Sequence, residues 1–371
     1  MEAVPSATVL SVSTSGGAYG DDDPDALDSR ILSAELLVSG TAAGDPYTTR
    51  MLVRPPADSA RFSGVVVMEA MHLSGGRPLW RALRHQLIRA GHGWAEVASQ
   101  APAAMGALRA SDPERYERVH LTGPDELDAT GSTLLATPGD PADMAAVRRR
   151  SRAFMASWAR DAPQSPWILA QAAALIRSGA TPFGDVGTIV LGGSSQSAGV
   201  VRAFIGNHHA ALRRAGGAPV FDGYLPLSSG GDALPDIDVP VIEVLGESEL
   251  PAVRAAHGIP GQATALDHRR PDSATFRLYE VAGMPHVDSR DLEPQLDPAI
   301  LPQGAVWSRY PYAHVMAGAL EALLRWVREG VAPAPGRTLV VDPVTGAIAR
   351  DRHGNAVGGL RSPHVDVPTS T

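Results

Sequence analysis

The sequence predicts an α/β fold: a mostly parallel central sheet with helices on both faces. Three observations carry this. Strand-sized apolar runs alternate with helical periodicity over most of the chain. The run at 65–68 (Val-Val-Val-Met) is continuously apolar, as in a strand covered on both faces. At 188–199 a strand pattern runs straight into Gly-Gly-Ser-Ser-Gln-Ser-Ala-Gly and then into a helix-compatible stretch.

The elements follow in order. Residues 30–54 alternate around turn residues and predict antiparallel edge strands. Residues 80–90 have helical periodicity ended by Gly91, and 94–98 is the next strand. Residues 101–165, rich in Pro, Gly, Asp and Arg, read as an inserted cap or lid with one helix at 144–158. Its Arg148, Arg149, Arg150 and Arg152 form a solvated helix face or a surface that attracts an acidic substrate. Alternation then returns: a helix at 167–176, a strand at 188–192, a helix at 200–214, strands at 239–245 and 275–281, and a long amphipathic helix at 312–328. Residues 336–371 form a Gly/Pro-rich C-terminal extension with hairpin signals, taken to pack on the core. The whole, 1–371, reads as a single domain.

Composition narrows the function. Hydrophobic content of 44% with 19% charged residues supports a buried core rather than a disordered chain. A formal net charge of −8 argues against nucleic-acid binding. The absence of cysteine removes disulfides and thiolate chemistry. Residues 1–20 lack a basic start and an apolar core, so no signal peptide is expected. No apolar run reaches bilayer length. The expectation is a cytoplasmic protein with no membrane or nucleic-acid partner. His-Glu-x-x-His, Gly-x-Gly-x-x-Gly and Gly-x-x-x-x-Gly-Lys patterns are missing, so no metal or cofactor is expected.

The segment at 188–199 has the layout of a nucleophile elbow, a sharp strand-to-helix turn that presents a serine above a sheet. The residues two before and two after the nucleophile must be small. Ser195, flanked by Gly193 and Ser197, meets this; Ser197, flanked by Ser195 and Gly199, is the alternative; Ser194 is excluded by the bulk of Gln196. A serine hydroxyl needs a base, and the base needs an orienting acid. The loop after the next-but-one strand offers Glu249 and Glu247 for the acid. His286 follows the strand at 275–281 after a glycine. The other downstream histidines lie in helical patterns (His208, His209, His314), polar loops (His257, His268) or the tail (His353, His364). Gln196 N–H and an N–H of Met71 or His72, in the loop after 65–68, would bind an oxyanion.

Several blocks resemble the bacterial and fungal "alpha/beta hydrolase domain" family of the α/β-hydrolase superfamily: 47–56, 67–76, 91–95, 112–116, Ser195-Gln196-Ser197, Glu247-Ser248-Glu249, 326–333 and 351–363. At Ala70 and His72 the chain departs from the family's usual Trp and Asn. The resemblance implies an α/β-hydrolase fold and supports Ser195. The expected activity is hydrolysis of a small-molecule carboxylic ester or lactone through an acyl-enzyme. Acyl transfer, cyclisation or acyl elimination at the same site is the alternative chemistry. A binding protein with a vestigial elbow is the non-enzymatic one.

Overall fold

The computed structural model describes residues 2–14, 17–19, 28–73, 76–122, 163–250, 253, 266, 268–286 and 308–367. The expected helix at 144–158, its arginines and most of the expected cap lie outside these residues.

The strands are β1 (Glu2–Ala3), β2 (Thr8–Ser13), β3 (Ala34–Ala42), β4 (Asp45–Arg54), β5 (Val65–Ala70), β6 (Gly93–Val97), β7 (Thr188–Ser194), β8 (Leu212–Arg213), β9 (Gly223–Leu227), β10 (Val241–Gly246) and β11 (Phe276–Val281). The α-helices are α1 (Pro78–Ala90), α2 (Ser165–Arg177), α3 (Gln196–Asn207), α4 (Tyr312–Glu329) and the short α5 (Pro363–Asp366). Among the described residues, nine strands form one mixed, mostly parallel sheet in the order β11-β10-β9-β7-β5-β6-β4-β3-β2, and β1 pairs with β8 apart from it. This is the expected α/β class. The chain divides into two compact units, one of residues 1–192 and 207–222, the other of 193–206 and 223–371, so the boundary falls within β7.

In the first unit β5 pairs in parallel with both β6 and β7, and every residue of the three strands is buried. That is why 65–68 reads as an unbroken apolar run. β3 and β4 pair antiparallel as expected, but they are not the edge. β2 lies outside β3 at the edge of the sheet, and its residues are mostly exposed. The unit's core admits charge where charge is paired: the buried Arg50 meets Glu96, and the Arg54 guanidinium lies 4.5 Å from the centre of the Trp80 ring. Pro102–Arg109, at the start of the expected cap, is π-helical.

In the second unit β10 lies between β9 and β11, parallel to both. α4 buries Met316, Leu320, Leu323 and Leu324 on one stripe and ends at Gly330 in the left-handed conformation. Of the helix expected over 200–214, α3 takes only the first half. It ends at Asn207 after Gly206, a weak helix former, and the chain turns so that Leu212–Arg213 can pair with β1. The C-terminal extension runs beside β11: Arg337 and Leu360 make parallel bridges to Tyr279 and Val281. Short antiparallel bridges, Leu339 to Gly358 and Val341 to Ile348, fold it on itself.

Candidate active site

The site is built on three strand ends of the second unit. At the first, β7 gives way to α3 at Ser195, whose φ is +58°, a left-handed conformation unusual for a residue with a Cβ. Three local features hold it there. Ser195 N–H donates to Leu227 O at 2.9 Å. The Ser197 hydroxyl is buried inside the turn, accepting from Ser194 N–H and donating to Ser194 O, both at 2.9 Å. Gly193 lies so close to the helix start that a Cβ there would sit 2.5 Å from Ser197 C and O. The Ser197 hydroxyl is thus bonded within the elbow, whereas the half-buried Ser195 hydroxyl lies 2.8 Å from His286 Nε2.

β10 ends at Gly246, and Glu247–Glu249 form a single 3-10 turn. This turn folds the buried Glu249 side chain back under the strand end. Gly246 N–H donates to Glu249 Oε2 at 2.5 Å, and the Ser248 hydroxyl donates to Oε1 at 2.7 Å. A Cβ at Gly246 would lie 2.6 Å from both that Oε2 and Met284 O, so only glycine leaves room for the carboxylate.

β11 ends at Val281, and Gly283, at φ +71°, turns the chain toward His286. The imidazole bridges the other two groups. Its Nε2 is 2.8 Å from Ser195 Oγ, and its Nδ1 is 2.8 Å from Glu249 Oε1. The Glu249 side chain is 1% exposed and that of His286 40%, so the acid is shielded while the base faces outward.

Electrostatics keep Glu249 ionised. Burial, the largest influence on Glu249, would raise its pKa. The hydrogen bond and charge of His286, the Ser248 hydroxyl and Gly246 N–H outweigh burial and hold it below the usual glutamate range. An ionised Glu249 can only accept, so the Nδ1 that faces it carries a proton and donates.

Of the two candidate acids, then, Glu249 meets the imidazole. Glu247 instead accepts from Gly283 N–H at 2.8 Å and pairs with Arg350. Gln196 is the first residue of α3, directly after Ser195, where amides point out of the helix start. Met71 is excluded as an oxyanion donor because its N–H is bonded to Val97 O at 2.8 Å. His72 lies half-buried just past β5, in the first unit. Ser248 and Arg350 were not anticipated. Ser248 could have been noticed as a hydroxyl beside the acid, whereas Arg350 lies 103 residues from its partner and has no local signature. Among the described residues, no group of three or more His, Cys, Asp or Glu is arranged to hold a metal ion. Among those residues, too, no helix is long and apolar enough to cross a membrane.

A profile of the family described as "Alpha/beta hydrolase domain" matches residues 26–371. No curated protein matches the chain. Solved structures similar to it include a thermostable esterase from Pseudomonas putida, 11% identical over 78% of this chain and 81% of that one, with a TM-score of 0.39. A dienelactone hydrolase from Anabaena variabilis is 13% identical over 79% of this chain and 97% of that one, with a TM-score of 0.35.

Proposed function

Because the chain belongs to the alpha/beta hydrolase domain family, we propose that it is a serine hydrolase acting on a small-molecule carboxylic ester or lactone through Ser195, His286 and Glu249. The observation that carries this reading is the unbroken relay from Ser195 Oγ to His286 to Glu249, with both links at 2.8 Å.

In the first half-reaction Ser195 Oγ attacks the carbonyl carbon as its proton passes to His286 Nε2. The imidazolium formed is stabilised by the Glu249 carboxylate at Nδ1. Gln196 N–H, at the positive end of α3, faces the carbonyl oxygen as it becomes an oxyanion, an interaction worth about 3–4 kcal/mol per donor in comparable sites. The tetrahedral intermediate collapses, the C–O bond to the leaving alcohol breaks, and His286 returns the proton to that oxygen. A lactone opens at the same step and keeps its alcohol on the acyl chain. Water, deprotonated by His286, then attacks the acyl carbon, the bond from that carbon to Ser195 Oγ breaks, and His286 returns the proton to Oγ.

The test uses a fluorophosphonate probe and p-nitrophenyl esters of graded acyl length. Wild-type protein should be labelled at Ser195 and should hydrolyse the short esters. His286→Ala should slow both by about 10²–10⁴-fold, the range a general base contributes. Folded wild-type protein that neither labels nor turns over would overturn the proposal. Alkyl ester forming faster than free acid in the presence of an added alcohol would make acyl transfer the activity.

A further inference from the structure

The turn that supplies Glu249 carries a second carboxylate, and that carboxylate reaches two other parts of the same unit. Glu247 Oε2 accepts from Gly283 N–H at 2.8 Å, three residues before His286. Its Oε1 pairs with Arg350, which lies on the C-terminal extension. The Glu247 side chain is 14% exposed and that of Arg350 42%, so the pair closes over the loop from outside. Other parts of the extension reach the same stretch. Ala282 N–H donates to Leu360 O at 3.0 Å, and Leu360 N–H donates to Glu280 O at 2.7 Å. A Cβ on Gly283 would lie 2.9 Å from Val365 Cγ2.

We infer that Glu247 and Arg350 are positioning residues for His286. Arg350 holds the Glu247 carboxylate on Gly283 N–H and so keeps the imidazole in register between Ser195 and Glu249. The inference rests on the triad proposed above. Its physical basis is that one short turn grips the histidine loop at two points. Glu249 holds the side chain at Nδ1, and Glu247 holds the backbone at Gly283. With Nδ1 alone the loop could pivot about that bond and swing Nε2 away from Ser195. With both, the imidazole has one orientation, and misplacement by about 1 Å is enough to cost roughly 10²-fold in rate. The extension, distant in sequence, thereby becomes part of what makes the base effective.

The experiment compares wild type, Glu247→Ala, Glu247→Gln and Arg350→Met in the full chain. Three quantities are read: kcat and KM on p-nitrophenyl acetate, the downfield His286 Nδ1–H proton resonance, and the melting temperature. Glu247→Ala should lower kcat by about 10–100-fold with KM within about twofold, and should broaden or abolish the Nδ1–H resonance. Glu247→Gln keeps an acceptor for Gly283 N–H and should recover most of the loss. Arg350→Met, at an exposed position where folding is not at risk, should fall between them. High salt should move the wild type toward that variant, because an exposed ion pair is screened.

Wild-type kcat and an intact resonance in Arg350→Met and in folded Glu247→Ala would overturn the inference. So would equal losses in the Ala and Gln variants that merely track melting temperature. The resonance reports on positioning without any turnover. Fluorophosphonate labelling of the wild type reports separately on the triad, so the two ideas fail by different signs.

Discussion

Gly193→Ala tests the elbow with the addition of one methyl group. The new Cβ would lie 2.5 Å from Ser197 C and O and 2.6 Å from Ala198 N, all backbone atoms that no rotamer change can move aside. Ordinary carbon contacts lie at about 3.5–4.0 Å, so the start of α3 must retreat by roughly 1 Å. Overpacking of this kind costs about 1–3 kcal/mol. The kinetic consequence is larger. Ser195 directly precedes the helix, and a retreat of that size would stretch its 2.8 Å contact with His286 Nε2 beyond hydrogen-bond range. A loss of about 10²-fold in reactivity is expected. Gly206→Ala is the matched control, since it lies in the same helix with no atom within 4 Å of its added Cβ. It should leave labelling unchanged and stabilise the protein by up to about 1 kcal/mol, as Ala does over Gly in a helix. The assay is the second-order rate of fluorophosphonate labelling, paired with urea melts of both variants. Wild-type labelling by Gly193→Ala would show that the glycine is not what sets the serine in place.

Two further outcomes concern titration. The Glu69 carboxyl is buried, accepts from Trp80 N–H and Trp94 Nε1–H at Oε1, and has no partner at Oε2. Burial first, and then the neighbouring Glu96 charge, push its pKa up to about 8 from the ordinary 4.5. The folded state therefore keeps a proton that the unfolded chain releases, and stability falls as pH rises between those values, by at most about 5 kcal/mol. Glu69→Gln keeps the Oε1 acceptor and should flatten that slope in urea melts at pH 5 and pH 8; parallel slopes would refute the assignment. Glu249 has the opposite sign. Its lowered pKa means that its stabilising contribution is complete above 4.5 and is lost as pH falls through the folded value. Glu249→Gln should remove that acid-side loss. It should also lower kcat by up to about 10⁴-fold, as the equivalent carboxylate-to-amide change does in a serine protease triad. A variant with near-normal kcat would exclude Glu249 as the orienting acid.

Much of this arrangement was legible in the sequence, for reasons that can be named. The elbow shows because small residues at 193 and 197 are a steric demand of the turn, and steric demands write themselves into residue size. The sheet shows because β5, β7 and β10 are covered on both faces and so read as apolar runs. What was hidden depends on contacts between distant residues or on broken patterns. β9 was implied between two other strands but not located, since Pro226 interrupts Gly-Tyr-Leu-Pro-Leu. The ladder to β10 accommodates this by registering at Tyr224 and Leu227 on either side of the proline. Ser195 differs from Ser197 in φ and in the two bonds that close the Ser197 hydroxyl into the turn, and neither is visible in the sequence. Glu247 and Glu249 sit in one 3-10 turn with no periodicity to rank them, and their division of labour depends on where Gly283 and His286 arrive from elsewhere in the chain.

That division of labour explains why the site tolerates strain. A non-glycine residue held at φ +58° costs about 1–3 kcal/mol, and it persists only where surrounding bonds over-determine it. Here the constraint arrives from both sides of the hydroxyl. Behind Ser195, Leu227 O fixes the amide and Ser197 stitches the turn. In front, His286 fixes the oxygen, and His286 is itself held at Nδ1 by a carboxylate whose charge is stabilised by two further donors, Gly246 N–H and the Ser248 hydroxyl. Because Glu249 stays ionised in a buried place, the Nδ1 beside it holds a proton. The other ring nitrogen, Nε2, faces the Ser195 hydroxyl, while the Ser197 hydroxyl is bonded within the turn. In the proposed triad the strain at Ser195 and the lowered pKa of Glu249 are thus two ends of one preorganised relay, and loosening either end should be felt at the other.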